Sequence, residues 1–153
     1  MPSQPYYDAV QRYFTEQAIT DITPSVMRQA VIAIRQAKLP DPAKIANCGS
    51  FFANPIINED QFFSIQSEHP EIKYWHTDDG QIKLSAAWLI EQTGFKGIRD
   101  PQTGMSTWPN QPLVLVNQGA TSTAQLLKYK QQLVDAVKAM FGIALIQEPE
   151  LLP

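Results

Sequence analysis

A serine between a glycine and two aromatic residues is the feature of this sequence that most directly suggests chemistry. Gly49 and Ser50 precede Phe51 and Phe52, so a small hydroxyl lies where the backbone can turn sharply, beside rings that can exclude water. A hydroxyl in such a dry, tightly turned position suits proton transfer. The alternative is a solvated turn serine next to two core phenylalanines, and residue type alone favours this alternative because Ser is a common turn residue.

The element that must hold Ser50 is a proline-rich stretch, residues 38–55. Pro40, Pro42 and Pro55 each fix φ at about −65° and remove a backbone donor, so this stretch cannot be the interior of a helix. We therefore expect an extended, shaped loop. Further along, Lys96 and Arg99 flank a glycine after a predicted helix and suit contact with a phosphate. A solvated lysine in a turn is the alternative there.

Other kinds of site are disfavoured. Cys48 is the single cysteine, which excludes an internal disulfide and favours a reducing cytosol. No basic residue lies directly beside Cys48, so we expect a small buried side chain rather than a reactive thiol. His69 and His76 have no metal-ligating residue at the required spacing, so no metal site is expected. A serine hydrolase is also disfavoured, since Ser50 lacks the Gly-x-Ser-x-Gly turn.

The composition is that of a globular protein. The chain has 153 residues, of which 44% are hydrophobic and 18% are charged, and its net charge is −3. This length predicts one domain over residues 1–153, with 1–37 as a helical lead-in and 38–153 as the core. An acidic chain is a poor partner for nucleic acid or for a membrane surface, and no apolar run is long enough for a signal peptide or a membrane span.

Apolar spacing, caps and turns predict an α+β fold with a mainly antiparallel sheet packed against several helices. Helices are predicted at 8–16, 24–37, 59–67 and 86–92, with a last helix that Thr121 or Ser122 caps and Gly142 ends; strands are predicted at 56–57, 74–76, 81–84, 113–117 and 143–146. Residues 19–22 are a strand or a connector, and 100–110 a long polar loop that orders with ligand. The expected core faces are Phe62, Phe63 and Ile65 in the third helix, and Ala124, Leu127, Leu133, Val134, Val137 and Phe141 in the last.

Several sequence blocks together resemble one enzyme family. They are Lys38-Leu-Pro-Asp-Pro, Asn47-Cys-Gly-Ser-Phe-Phe, Asn54-Pro, Ala86-Ala-Trp-Leu-Ile-Glu-Gln, Leu113-Val-Leu-Val-Asn and Glu148-Pro-Glu-Leu. In this order and at closely similar spacing, the blocks resemble the C-terminal domain of UDP-N-acetylenolpyruvoylglucosamine reductase, also called UDP-N-acetylmuramate dehydrogenase. The resemblance spans nearly the whole chain.

The resemblance implies a reaction and the residues that catalyse it. Family members reduce UDP-N-acetylglucosamine enolpyruvate to UDP-N-acetylmuramate for peptidoglycan precursor synthesis, with FAD and NADPH. It implies that Ser50 donates the proton, that Glu150 acts at the same centre and that Lys38 neutralises the substrate carboxylate. Glu148 competes with Glu150 for that role. On residue type alone, Glu150 is a surface carboxylate and Lys38 a cation that interacts with a helix dipole.

The resemblance also implies which residues hold the nucleotide part of the substrate. Asn54 and Gln111 would bind diphosphate or nucleotide oxygens, and Lys96 and Tyr7 would contact the diphosphate, with Tyr6 as the alternative to Tyr7. One position departs from the family: a Val-His pair is common where this chain has Thr107-Trp108.

The family's FAD-binding domain has no counterpart in this sequence, and no Gly-rich loop of the usual dinucleotide type is present. We therefore expect a substrate-binding domain that holds no flavin tightly and is inactive alone. A non-catalytic nucleotide-sugar-binding module is the alternative. Ser50, Lys38 and Glu150 favour the enzyme domain, because sugar-nucleotide binding alone has no evident need for a proton donor beside a carboxylate clamp.

Overall fold

A computed structural model of the chain describes residues 7–151, which form two compact units that meet in sequence at Asp41 and Pro42. The first unit is a helical hairpin of α1 (Asp8–Glu16) and α2 (Pro24–Lys38). Both helices were predicted. The Thr23 hydroxyl accepts a hydrogen bond from Val26 N at 3.2 Å and so caps α2, while residues 19–23 form a connector. The expectation of one domain over the whole chain stays a prediction.

The second unit combines three helices with six strands. The helices are α3 (Glu59–Glu68), α4 (Ala86–Gln92) and α5 (Thr123–Phe141); the strands are β1 (Asn47–Ser50), β2 (Ile56–Ile57), β3 (Tyr74–His76), β4 (Ile82–Leu84), β5 (Met105–Trp108) and β6 (Gln111–Asn117). The strands form two antiparallel sheets, in the orders β1-β6-β5 and β2-β4-β3. The α+β class is confirmed, with the strands divided between two small sheets.

The ends of the helices follow from capping residues in the sequence. The Asn58 side chain accepts from Gln61 N at 2.9 Å, and the Ser85 hydroxyl accepts from Trp88 N at 3.2 Å. Gly142 ends α5 with φ of 69°, a left-handed conformation that glycine adopts without strain. Within residues 7–151, no helix is both long and apolar enough to cross a membrane.

One core lies between the two sheets and the helices of the second unit. Its most deeply buried members are Phe51, Phe52, Ile82, Leu84, Leu89, Ile90, Leu115, Tyr129, Leu133 and Val137. Two expected core residues are exposed: Phe63, by 59%, and Ala124. Two others, Leu127 and Val134, are half-buried. Tyr129 is a buried residue of α5 that the apolar pattern did not predict. Its ring packs edge-on against Phe95.

Two local predictions were wrong. Residues 105–108, expected within a long loop, form β5, because Thr107 is buried and its hydroxyl donates to Phe95 O at 2.6 Å and accepts from Gly97 N at 2.8 Å. Residues 143–146, expected as a strand, belong to no strand and pair with no named strand. The chain beyond them makes a single antiparallel bridge, between Phe52 and Gln147.

Burial of Tyr129 predicts that the protein loses stability in alkali. Desolvation raises the pKa of Tyr129 to about 12. An unfolded tyrosine ionises near pH 10, so the stabilising effect is complete below that pH and is lost as pH rises towards about 12. We expect Tyr129→Phe to flatten the fall in unfolding free energy over this range, measured by urea unfolding. Below about pH 9 the unfolding free energies of the two proteins should differ by a constant amount. Equal slopes of unfolding free energy against pH above pH 10 would contradict the prediction.

Candidate functional site

Ser50 lies at the end of β1, where the strand carries an extra residue. Asn47 pairs with Val116 and Ser50 with Val114, so three steps along β1 match two along β6. The extra residue is accommodated at Gly49, whose φ is 75° and whose amide donates to the Asn47 side chain at 3.1 Å. This bulge leaves Ser50 exposed, and its hydroxyl makes no hydrogen bond within residues 7–151.

Phe51 directly follows β1, and its backbone forms hydrogen bonds with both β6 and the C-terminal segment. Its amide donates to Leu113 O at 2.8 Å, and its carbonyl accepts from Glu148 N at 3.0 Å. A second bond, from Ala53 N to Ile146 O at 2.9 Å, completes the antiparallel pairing. The pairing sets Phe52 opposite Gln147. Ser50 and the C-terminal glutamates therefore lie on neighbouring segments.

The C-terminal segment is held locally by Gln147. Its side-chain amide donates to Pro149 O at 2.7 Å, which closes the turn that leads to Glu150. Its other terminal atom, Oε1, is buried and makes no hydrogen bond within the described chain. Glu148 and Glu150 are both exposed, so the structure does not distinguish the two candidates by burial.

Asn54 has a structural partner. Its side-chain oxygen accepts a hydrogen bond from Ala86 N at 3.0 Å, which links the approach to β2 with the first turn of α4. Asn54 also borders a groove of about 390 Å³. The residue is exposed, so its side-chain amide is placed at the surface beside that groove.

Lys96 and Gln111 lie at the turn end of the β5–β6 hairpin. Lys96 is exposed and its ammonium contacts the Glu91 carboxylate at 2.6 Å. Gly97, the next residue, lies against Pro109 in the hairpin turn, since a Cβ there would be 3.1 Å from the proline ring. Gln111 begins β6, pairs with Trp108 and is half-buried. The hairpin thus brings these two candidates to one end of the second unit.

The remaining candidates belong to the helical unit. Tyr7 immediately precedes α1 and is exposed, and its carbonyl accepts from the amide of Val10 at 2.8 Å. Lys38 is the last residue of α2 and is exposed. Tyr6, the alternative to Tyr7, lies outside the described residues.

A cavity of about 460 Å³ was not predicted. It lies beside the first turn of α5 and is lined by Asn47, Cys48, Asn117 and Ser122 among others. The sequence signals are asparagines at the start of β1 and the end of β6. The expectation for Cys48 was wrong, since the residue is exposed beside this cavity. Partial burial nevertheless desolvates the thiol and raises the pKa of Cys48 above its usual value. Within residues 7–151, no three His, Cys, Asp or Glu residues group as metal ligands.

Comparison with known proteins assigns the chain to a family. Residues 41–152 match the family model described as UDP-N-acetylenolpyruvoylglucosamine reductase, C-terminal domain. Similar proteins named UDP-N-acetylenolpyruvoylglucosamine reductase occur in Pseudomonas syringae pv. syringae, with 44% identity over 95% of this chain, and in Porphyromonas gingivalis, with 41% identity over 93%. A third, from Chromobacterium violaceum, is 39% identical over 95%. The chain spans only 42%, 41% and 42% of these relatives. The chain therefore belongs to the family of UDP-N-acetylenolpyruvoylglucosamine reductase C-terminal domains.

Proposed function

We propose that this chain is the substrate-binding and proton-donating domain of a reductase that converts UDP-N-acetylglucosamine enolpyruvate to UDP-N-acetylmuramate. The observation that carries the proposal is the backbone pairing of residues 51–53 with 146–148, which brings the Ser50 strand beside the segment that ends in Glu150. A hydroxyl and a carboxylate on neighbouring segments suit a proton transfer and the control of the charge that accompanies it.

Ser50 protonates the substrate carbon in this proposal. In the complete enzyme FAD and NADPH would supply the hydride that is added to the vinyl carbon, and the carbanion or enolate that this addition would leave beside the substrate carboxylate needs a proton. A serine hydroxyl is a weak acid, but a carbanion is a strong base and accepts its proton in a site from which water is excluded. The rings of Phe51 and Phe52, the two residues after Ser50, are buried and pack against each other with their centroids 5.2 Å apart.

Glu150 and Lys38 are the charged residues that we assign to this proton transfer. We assign to Glu150 the orientation of the reacting centre or a second proton step, with Glu148 as the competing carboxylate. We assign to Lys38 the neutralisation of the substrate carboxylate, because a charge-assisted hydrogen bond to an ammonium holds a carboxylate more strongly than a neutral donor does.

We assign the nucleotide part of the substrate to four polar residues. Asn54 and Gln111 supply neutral hydrogen-bond donors, and Lys96 and Tyr7 contact the diphosphate. Lys96 must exchange its contact with Glu91 for the diphosphate, which is a small cost because an exposed ion pair contributes about 0–1 kcal/mol.

The described residues contain no G-x-G-x-x-G loop of the usual dinucleotide-binding type. We assign flavin binding to a companion domain in the part of the relatives that this chain does not span. In this proposal the isolated chain binds substrate but does not reduce it. The complete enzyme would act in the cytosol, in the synthesis of peptidoglycan precursors.

Calorimetric titration of the isolated chain with UDP-N-acetylglucosamine and with its enolpyruvate derivative tests the proposal. We expect the derivative to bind more tightly, because its carboxylate adds a contact with Lys38. Lys38→Ala should weaken binding of the derivative by about 10- to 100-fold, since a hydrogen bond to a charged group contributes about 1.5–3 kcal/mol. Binding of UDP-N-acetylglucosamine, which lacks that carboxylate, should change little.

Lys138→Ala is the matched control, because Lys138 is also an exposed lysine in the last turn of a helix. Both substitutions remove a cation from a helix C-terminus, so both carry a similar small loss of stability. Equal binding of the two ligands, unchanged in Lys38→Ala, would favour the alternative, a non-catalytic module that recognises only the nucleotide sugar. A yellow purified chain with a flavin absorption band would contradict the assignment of FAD to a companion domain.

A further inference from the structure

Thr107 is a fully buried polar residue of β5 whose hydroxyl is bonded on both sides of one lysine. The hydroxyl donates to Phe95 O at 2.6 Å and accepts from Gly97 N at 2.8 Å. The residue between these two partners is Lys96, a proposed contact of the diphosphate. A single buried side chain therefore holds the main chain immediately before and immediately after that lysine.

The turn that carries Lys96 has little hydrogen bonding of its own. Its backbone bond, from Ile98 N to Phe95 O, is long at 3.3 Å. Gly97 has φ of 70°, so the turn is irregular at the residue after the lysine. Such a turn keeps its shape through partners outside it, and Thr107 supplies two hydrogen bonds that are shorter than the internal one.

The same threonine ties the turn to the hairpin that carries Gln111. Trp108 follows Thr107 in β5 and pairs with Gln111, the first residue of β6. Gly97 packs against Pro109 in the hairpin turn, since a Cβ there would lie 3.1 Å from the proline ring. Thr107 therefore fixes the main chain at Lys96 relative to the main chain at Gln111, and both residues are assigned to the nucleotide part of the substrate.

We infer that Thr107 is a positioning residue for the diphosphate of the substrate. Its hydroxyl fixes the 95–97 turn, so that the Lys96 ammonium exchanges Glu91 for a diphosphate without a change in the main chain. The inference rests on the proposed function. Ordering a flexible segment during binding costs free energy, and a turn that is fixed beforehand lowers that cost. Without the hydroxyl, the ligand itself must order the turn.

Calorimetric titration of the isolated chain with UDP tests the inference. Thr107→Val keeps the side-chain shape and suits a strand but removes the hydroxyl. We expect it to weaken UDP binding about two- to tenfold. Thr107→Ser, which keeps the hydroxyl, should restore the binding. In a chain that already carries Lys96→Ala, Thr107→Val should have no further effect, because the hydroxyl acts through the lysine.

Thr103→Val is the matched control. Thr103 is also fully buried, and its hydroxyl donates to the Asp100 carboxylate at 2.8 Å and accepts from Met105 N at 3.4 Å. This variant likewise loses a buried hydroxyl with two hydrogen bonds, but Thr103 holds no part of the 95–97 turn. We expect a comparable loss of stability and unchanged binding of UDP.

A measurement on the unmodified chain does not depend on how the variants fold. Backbone NMR order parameters of residues 95–97 without ligand should already be near the rigid value of about 0.85. Values below about 0.6 that rise when UDP is added would overturn the inference, since the ligand would then order the turn.

Two results of the titration would overturn the inference and leave the proposed function standing. One is unchanged UDP binding in Thr107→Val. The other is an equal loss of binding with and without Lys96, which would show that the hydroxyl acts on the fold as a whole. If UDP did not bind the unmodified chain, or if Lys96→Ala did not weaken its binding, the proposed contact with the diphosphate would itself be wrong, and this inference with it.

Discussion

Ser50→Ala is expected to lower the rate at which substrate oxidises the reduced flavin by about 10²- to 10⁴-fold in a full-length reductase that carries this chain. The reason is the loss of the proton donor. Reduction of the flavin by NADPH should be nearly unchanged, because that half-reaction needs no proton from Ser50. Stopped-flow absorbance at the flavin band measures the two half-reactions separately.

The structure offers a control for this experiment. Ser64→Ala removes another exposed hydroxyl, on α3, and should change neither half-reaction. Ser50 itself makes no hydrogen bond within residues 7–151, so its substitution should leave the melting temperature close to that of the unmodified protein. An equal loss in both half-reactions would show that Ser50 does not act as the proton donor.

Gly104→Ala is expected to produce the largest loss of stability. Gly104 has φ of 71°, and a Cβ there would lie 2.5 Å from both Ala120 N and Gly119 C. These atoms belong to the backbone, so no side-chain rotation relieves the overlap. The left-handed conformation costs an alanine about 1–2 kcal/mol, and overpacking adds about 1–3 kcal/mol. Urea unfolding should therefore give a loss of about 2–5 kcal/mol.

Gly80→Ala separates the two contributions. Gly80 has φ of 76°, yet a Cβ there would meet no atom within 4 Å. This variant should lose only the conformational cost, about 1–2 kcal/mol. If both variants lost the same stability, close approach of the 119–120 backbone would not be the reason for glycine at position 104.

The predictions that held were those that depend on a few neighbouring residues. Thr23, Asn58 and Ser85 each predict the start of a helix, because the capping side chain accepts a hydrogen bond from the backbone amide three residues later. Gly142 marks the end of α5 for a similarly local reason. The α+β class followed from these elements and their order.

The predictions that failed depended on contacts between distant parts of the chain. β5 lies in a stretch rich in Pro, Gly and Thr, and it is ordered because Thr107 joins the backbone at Phe95 and Gly97 and because β6 pairs with it. No local pattern reports those partners. The approach of the Ser50 strand to the C-terminal segment also depends on a contact between distant residues, the pairing of Phe52 with Gln147. No local sequence pattern predicts that pairing. The roles of Ser50 and Glu150 stay predictions that the kinetic experiments test.

The pairing of Phe52 with Gln147 also has a consequence for how the protein folds. It closes a loop that contains nearly the whole second unit, and such long-range contacts form late because the entropy cost of loop closure comes before any compensating contact. The proposed catalytic pair is therefore assembled at the end of folding, so recovery of substrate binding after refolding should report the final step rather than the formation of the core.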